Sequence, residues 1–226
     1  MRLKLFSALM AISVLLVGLC ACDIGVVDKK YEPTEDNYFT FVKSKDEKSY
    51  EISAKEVELP ETVRFPLVHE GLPVSKVAEN GFKNHKEIKS VVIPYSYTEI
   101  GDSAFRDCYG ITKVYVDSKS QTNENEEKTT LKIDDFAFAY CRKLVDLDLG
   151  SRTDEIGAYA FKETGIIEFK SENVKSIGNY AFEGCTGLRK VTLSVKLANV
   201  GTKPFFRCNK DLNITNKSAV PNESLR

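Results

Sequence analysis

A phenylalanine returns at Phe82, Phe105, Phe138, Phe161, Phe182 and Phe205, at intervals of 23, 33, 23, 21 and 23 residues. Five residues before each stands an apolar β-branched side chain: Val77, Ile100, Ile133, Ile156, Ile177 and Val200. Self-similarity at this period confines the chain to a solenoid, because one such repeat is too small to bury its apolar face except against its neighbours. A recognition surface, rather than a pocket with chemistry, is the function class that follows.

Aligned on these anchors, the coils repeat one another. The second reads Tyr97-x-x-Ile100-Gly101, Ala104-Phe105, Cys108, Ile111, Val114 and Val116; the fifth reads Val174-x-x-Ile177-Gly178, Ala181-Phe182, Cys185, Leu188, Val191 and Leu193. The single long interval is one coil plus a polar insertion over residues 118–130, and the fourth coil is two residues short. Triplets such as Val114-Tyr115-Val116 and Leu147-Asp148-Leu149 alternate as short strands do, outer members inward and middle member to solvent. The Gly after the Ile suits a positive φ or a close backbone approach. The Ala-Phe pair suits a short helical turn whose Phe residues stack into a spine. The predicted organisation is a signal over residues 1–21, a tether over 22–37, a cap with a β-hairpin over 38–73, a solenoid of about six coils over 74–214, and a frayed tail over 215–226.

Arg2 and Lys4 precede an almost wholly apolar stretch ending at Leu19, which reads as an export signal. Leu19-Cys20-Ala21-Cys22 resembles a bacterial lipobox with Cys22 as the acylated residue, which is the favoured reading; a bulky Leu19 immediately before Cys20 disfavours acylation there, and a soluble secreted protein with incidental cysteines is the alternative. Several acyl chains on one residue matter physically, since a single chain anchors only marginally. Losing Arg2 and Lys4 moves the formal net charge from -1 to -3, as residues 1–21 hold no acid. Such a chain lacks the basic footprint of a nucleic-acid binder.

The pattern Val-x-x-Ile-Gly-x-x-Ala-Phe-x-x-Cys-x-x-Leu-x-x-Val-x-Leu, carried by residues 174–193, resembles the BspA-like, treponemal-type leucine-rich repeats. Ala160-Phe161-x-x-Thr164-Gly165-Ile166 resembles a short variant of the same repeat. The resemblance covers about residues 60–214. It implies a right-handed, β-rich leucine-rich repeat solenoid with short parallel strands. It also implies an exported protein of a host-associated bacterium, some relatives being adhesins for matrix proteins. This chain is short beside the large adhesins.

Cys108, Cys141, Cys185 and Cys208 share one column of the repeat with His85 and Thr164. A column accepting Cys, Thr and His reads as an inward turn position bonded to nearby backbone, so structural thiols are expected over a disulfide or a metal site. His69 and His85 have no second imidazole or carboxylate pair at ligand spacing, and no catalytic triad order, P-loop, dinucleotide fingerprint or zinc motif is present. No catalytic residue, cofactor or metal is therefore nominated. A ligand face, if used, is the sheet of coil-ending strands, with Val92, Tyr115, Asp148, Lys170 and Thr192 outward and Lys113, Asp146, Glu168 and Lys190 beside them. The expected function is non-catalytic binding of a macromolecule, protein favoured, by a monomer lipid-anchored to the bacterial envelope. An adhesin role follows if it is displayed at the surface. The alternatives are a structural envelope lipoprotein without a host ligand, and a carbohydrate-binding or carbohydrate-active protein.

Overall fold

The computed structural model describes residues 32–117 and 129–225. In chain order the strands are β1 (Phe39–Lys43), β2 (Tyr50–Ala54), β3 (Thr62–Arg64), β4 (Val68–His69), β5 (Leu72–Val77), β6 (Ser90–Ile93), β7 (Glu99–Ile100) and β8 (Lys113–Val116). They continue as β9 (Leu131–Ile133), β10 (Asp146–Asp148), β11 (Thr153–Ile156), β12 (Glu168–Lys170), β13 (Ser176–Ile177), β14 (Lys190–Leu193), β15 (Asn199–Val200) and β16 (Asn213–Asn216). A β-solenoid results. The strands bearing the Ile or Val column, β5, β7, β9, β11, β13 and β15, pair side by side in one sheet (the Ile-strand sheet), and the coil-ending strands pair on another side.

The β1–β2 hairpin is antiparallel, yet β2 pairs parallel with β5, and β3 pairs parallel with β6. Parallel stacking thus begins at Tyr50, earlier than the boundary at residue 74 predicted from the Phe repeat, because the first coil carries no Ala-Phe element to mark it.

The Phe spine forms as predicted. Rings of Phe82, Phe105, Phe138, Phe161, Phe182 and Phe205 stack with successive centroids 5.3, 5.0, 5.5, 5.2 and 5.2 Å apart, interplanar angles staying between 1° and 23°. Phe39 and Phe65 close its amino-terminal end, at 6.0 and 5.1 Å from Phe82. All six spine rings are buried, each contributing about 1.5–3 kcal/mol of transfer free energy.

The Ala-Phe segments form short turns, as expected, and do not continue into helices. They are chains of hydrogen-bonded turns, as in Gly81 N to Ala78 O and Lys83 N to Asn80 O. Each coil takes positive φ twice, four residues apart: Ser103 and Asp107, Phe136 and Tyr140, Tyr159 and Glu163, Tyr180 and Gly184. These reversals break a helix and turn the Phe amide outward along the stack, where Phe105 N donates to Ala137 O and Phe138 N to Ala160 O. Of the two roles open to the Gly after each Ile, close approach is the one used. A Cβ on Gly101 would lie 2.8 Å from Glu79 N, and one on Gly178 2.5 Å from Ala158 N.

The carboxyl-terminal segment is not a frayed tail. Thr215 belongs to β16, which pairs with β14, Val220 packs against the core, and Leu225 is 1% exposed. Asn216 Nδ2 ties the fold-back together by donating to Val220 O at 2.7 Å. An apolar lid at the last coil keeps water from the end of the core, which explains why so polar a stretch still orders.

Candidate interaction faces

Cross-strand register brings Val92, Tyr115 and Asp148 into one outward row on β6, β8 and β10, continuous with Arg64 on β3. Lys170 and Thr192 form the equivalent row on β12 and β14. The structure does not join the two. The coil-ending strands expected as one sheet form a four-stranded sheet, β3-β6-β8-β10, and a three-stranded sheet, β12-β14-β16, with a seam between β10 and β12. The seam falls at the fourth coil, whose two missing residues leave its returning strand out of step with the coil before. A cavity of about 440 Å³ opens there, lined by Asp146, Asp148, Glu168, Lys170, Val145 and Ile167 among others.

The charges on this face are matched across strands: Lys113 to Asp146 at 2.9 Å, and Lys190 to Glu168 at 2.8 Å. The hydrogen bond to Asp146 holds the Lys113 ammonium above its ordinary range, and that to Glu172 does the same for Lys170. Burial, helped by Asp117 and Asp148, pushes the Tyr115 phenol up, so it stays a neutral donor. Exposed pairs like these fix side-chain positions more than they stabilise. Cys22 lies outside the described residues.

The Cys column behaves as read. Sγ of Cys108, Cys141, Cys185 and Cys208 donates to the carbonyl of Phe82, Phe105, Phe161 and Phe182 in the preceding coil, at 2.9, 3.1, 3.1 and 3.1 Å, and all four are free thiols. Burial pushes the Cys108 thiol up to about 12 and that of Cys141 well above its usual value. Thr164 replaces the thiol with a hydroxyl that donates to its own coil's Phe161 O at 3.0 Å. His85 lies against Glu87 at 2.7 Å, while His69 lies 2.7 Å from Asp36 and stacks on Phe41 at 3.7 Å. Among the described residues no group of three or more His, Cys, Asp or Glu is arranged to hold a metal, and no helix is long and apolar enough to cross a membrane.

Two features escaped the sequence reading. Phe136, Tyr159 and Tyr180 occupy one column, just before each Ala-Phe, and stack at 4.9 and 5.4 Å in a second aromatic ladder. Arg106 covers the Phe136 ring at 5.5 Å and Lys162 the Tyr159 ring at 5.2 Å. All three aromatics sit at positive φ, which bulky residues rarely adopt, so ring stacking and cation–π contact offset local strain. The aligned coils carried this signal. The other feature is a groove of about 690 Å³ on the Ile-strand sheet, with Asp102, Asp134, Asp135, Glu155 and Asn179 in its lining. Its residues come from five coils and no sequence motif announces them.

A parallel β-solenoid with a stacked Phe core and a turn thiol in four of its six Phe-bearing coils defines a leucine-rich repeat protein of bacterial type. The model for the BspA type leucine-rich repeat region matches residues 69–126 and 117–222 in six copies, and the chain belongs to this family. No curated protein matches it. Among solved structures, it is similar to a leucine-rich repeat protein of T. pallidum (23% identity, TM-score 0.63, covering 75% of this chain and 82% of that one). A leucine-rich cell surface protein of Faecalibacterium prausnitzii gives 24% identity and a TM-score of 0.61, covering 84% of this chain. A leucine-rich repeat protein of Bacteroides ovatus gives 18% and 0.55, covering 85%. This chain spans only 55% and 60% of the latter two, and at these identities the likeness is one of fold. The fold is that of a protein-interaction or surface repeat module.

Proposed function

We propose that this chain is a non-catalytic, lipid-anchored bacterial envelope protein whose solenoid binds another protein, and that at the cell surface it acts as an adhesin for a host protein. The observation that carries the reading is the in-register outward row Val92, Tyr115 and Asp148, repeated as Lys170 and Thr192, on strands held rigid by the stacked core. A stiff, repeating, chemically mixed surface suits recognition of a protein, and the half-buried Tyr115 is the kind of anchor that dominates such interfaces. The lipobox resemblance around Cys22 supports the anchor, and the cell surface description of the Faecalibacterium relative supports display.

Protease shaving of intact cells, with mass spectrometry of released peptides and of the amino terminus, tests it. The expected result is release of solenoid peptides with an acylated Cys22 left behind. Binding of the mature protein to immobilised matrix proteins should then weaken at least about tenfold in Tyr115→Ala, the loss of one central anchor. Complete protection from protease moves the weight to a structural envelope lipoprotein.

The groove on the Ile-strand sheet favours one other reading, a carbohydrate-binding protein. Asp135 and Asn179, which line it, directly precede Phe136 and Tyr180 of the aromatic ladder, so hydrogen-bonding groups and rings are neighbours there. Retention on a glycan array that is lost in Glu155→Gln and Asn179→Ala would support it.

A further inference from the structure

We propose that the seam between β10 and β12 is a docking slot for an extended segment of a partner protein bearing lysine or arginine, whose backbone pairs with the two facing strand edges. The proposal rests on the protein-binding reading above and names its site.

Elsewhere on this side of the solenoid, described coil-ending strands pair in register with their neighbours, β3 to β6 to β8 to β10 and β12 to β14 to β16. At the seam neither β10 nor β12 has a strand on its facing edge among the described residues. Each edge of a strand carries backbone donors and acceptors, and an open edge is a template for another chain. Here two edges face each other across one cavity, so an extended segment gains main-chain bonds on both sides, and its side chains are read by what lines the slot.

The slot is held open by a rigid frame. The same coils are closely joined on the Ile side, where β11 pairs parallel with β9, through a bulge between Thr153 and Glu155, and with β13, and Phe138 stacks on Phe161 at 5.5 Å. The irregularity lies in the fourth coil's returning strand. Phe169 stands where the aligned coils have Val114, Leu147 and Val191, and Ser171 stands where they have Val116, Leu149 and Leu193. Ser171 is buried and its hydroxyl has no hydrogen-bond partner.

The lining defines the occupant. Val145 and Ile167 are 46% and 51% exposed and both face the cavity, giving an apolar side chain a place to rest. Asp146, Asp148, Glu168 and Glu172 line it against a single lysine, Lys170. Lys113 and Lys190 neutralise Asp146 and Glu168 from the adjoining strands, which leaves one carboxylate in excess. An alternating basic and apolar segment matches this charge and this apolar pair; an acidic one meets repulsion.

The test is amide hydrogen exchange of the mature chain with the synthetic peptide Lys-Val-Lys-Val-Lys as probe and Glu-Val-Glu-Val-Glu as control. Without peptide, amides of residues 146–148 and 168–170 facing the seam should exchange faster than those of β8 and β14. The basic peptide should slow them about tenfold, a local change such measurements resolve. The protection should vanish in Val145→Lys/Ile167→Lys, whose side chains are exposed and whose replacement leaves the core intact. Protection before peptide is added, no slowing with the basic peptide, or equal slowing by the acidic one overturns the slot. The same double variant separates this from the broader reading: a protein partner bound equally by both forms keeps the binding function and removes the slot.

Discussion

Arg152 Nη1 donates to both the carbonyl and the hydroxyl of Thr129, at 3.2 and 2.9 Å, while Nε donates to Asp117 O at 3.1 Å. Asp117 and Thr129 flank residues 118–128, so one guanidinium ties the two ends of the insertion together. Its Nη2 reaches Pro94 O and Tyr97 O, and the side chain is only 7% exposed. Burial lowers its proton affinity and Asp117 opposes this, yet an arginine remains charged.

Replacing Arg152 strands several carbonyls at once. Arg152→Ala should therefore cost about 3 kcal/mol, in the range for breaking buried charged hydrogen bonds, and Arg152→Lys should recover only part of it. Urea denaturation of the three proteins measures this. Equal midpoints would mean the clamp contributes nothing.

The spine predicts a positional gradient. Phe138 stacks on rings at both sides, Phe205 on one spine neighbour. Phe138→Ala should cost about 3–5 kcal/mol and lower the cooperativity of unfolding, because it interrupts nearest-neighbour coupling in mid-array. Phe205→Ala should cost less and leave cooperativity unchanged. Chemical denaturation followed by both circular dichroism and tyrosine fluorescence distinguishes the two.

Thiol reactivity should report unfolding. With Cys108 pushed up to about 12 and Cys141 held higher still by burial, almost no thiolate exists at pH 8. Peptide-resolved alkylation should label neither in the native protein and both in urea. Cys185→Ser should lower stability modestly without changing binding; a selective loss of binding would contradict the structural role of the column.

Acid sensitivity should localise to Glu87. Burial opposes its ionisation, but hydrogen bonds from His85 and from the Leu59 amide outweigh this and set its carboxyl below the ordinary value of 4.5. A depressed carboxyl contributes stability that is present above the unfolded value and disappears as pH falls through the folded one. Urea midpoints measured from pH 7 down to about 3 should therefore drop less steeply in Glu87→Gln than in the parent chain.

Much of the fold was legible because the coils repeat. Phe82 through Phe205, the Ile column and the Cys column each mark an inward position whose chemistry is dictated by one local environment recurring in every coil. Even the outward row Val92, Tyr115 and Asp148 followed from strand alternation. The short interval before Phe182 was visible too, but not its effect, since whether two neighbouring strands pair depends on how the whole coil distributes its missing residues.

The sequence by itself determined the period, the core, the identity of the turn thiols and the family to which the chain belongs, because each depends on local pattern repeated along the chain. Tertiary structure alone decided the rest: the seam between β10 and β12, the left-handed turns under Tyr159 and Tyr180, the clamp of Arg152 on Thr129, and the burial of Leu225. These depend on distances between coils, and such distances are set by packing summed over many residues rather than by any residue's own preference.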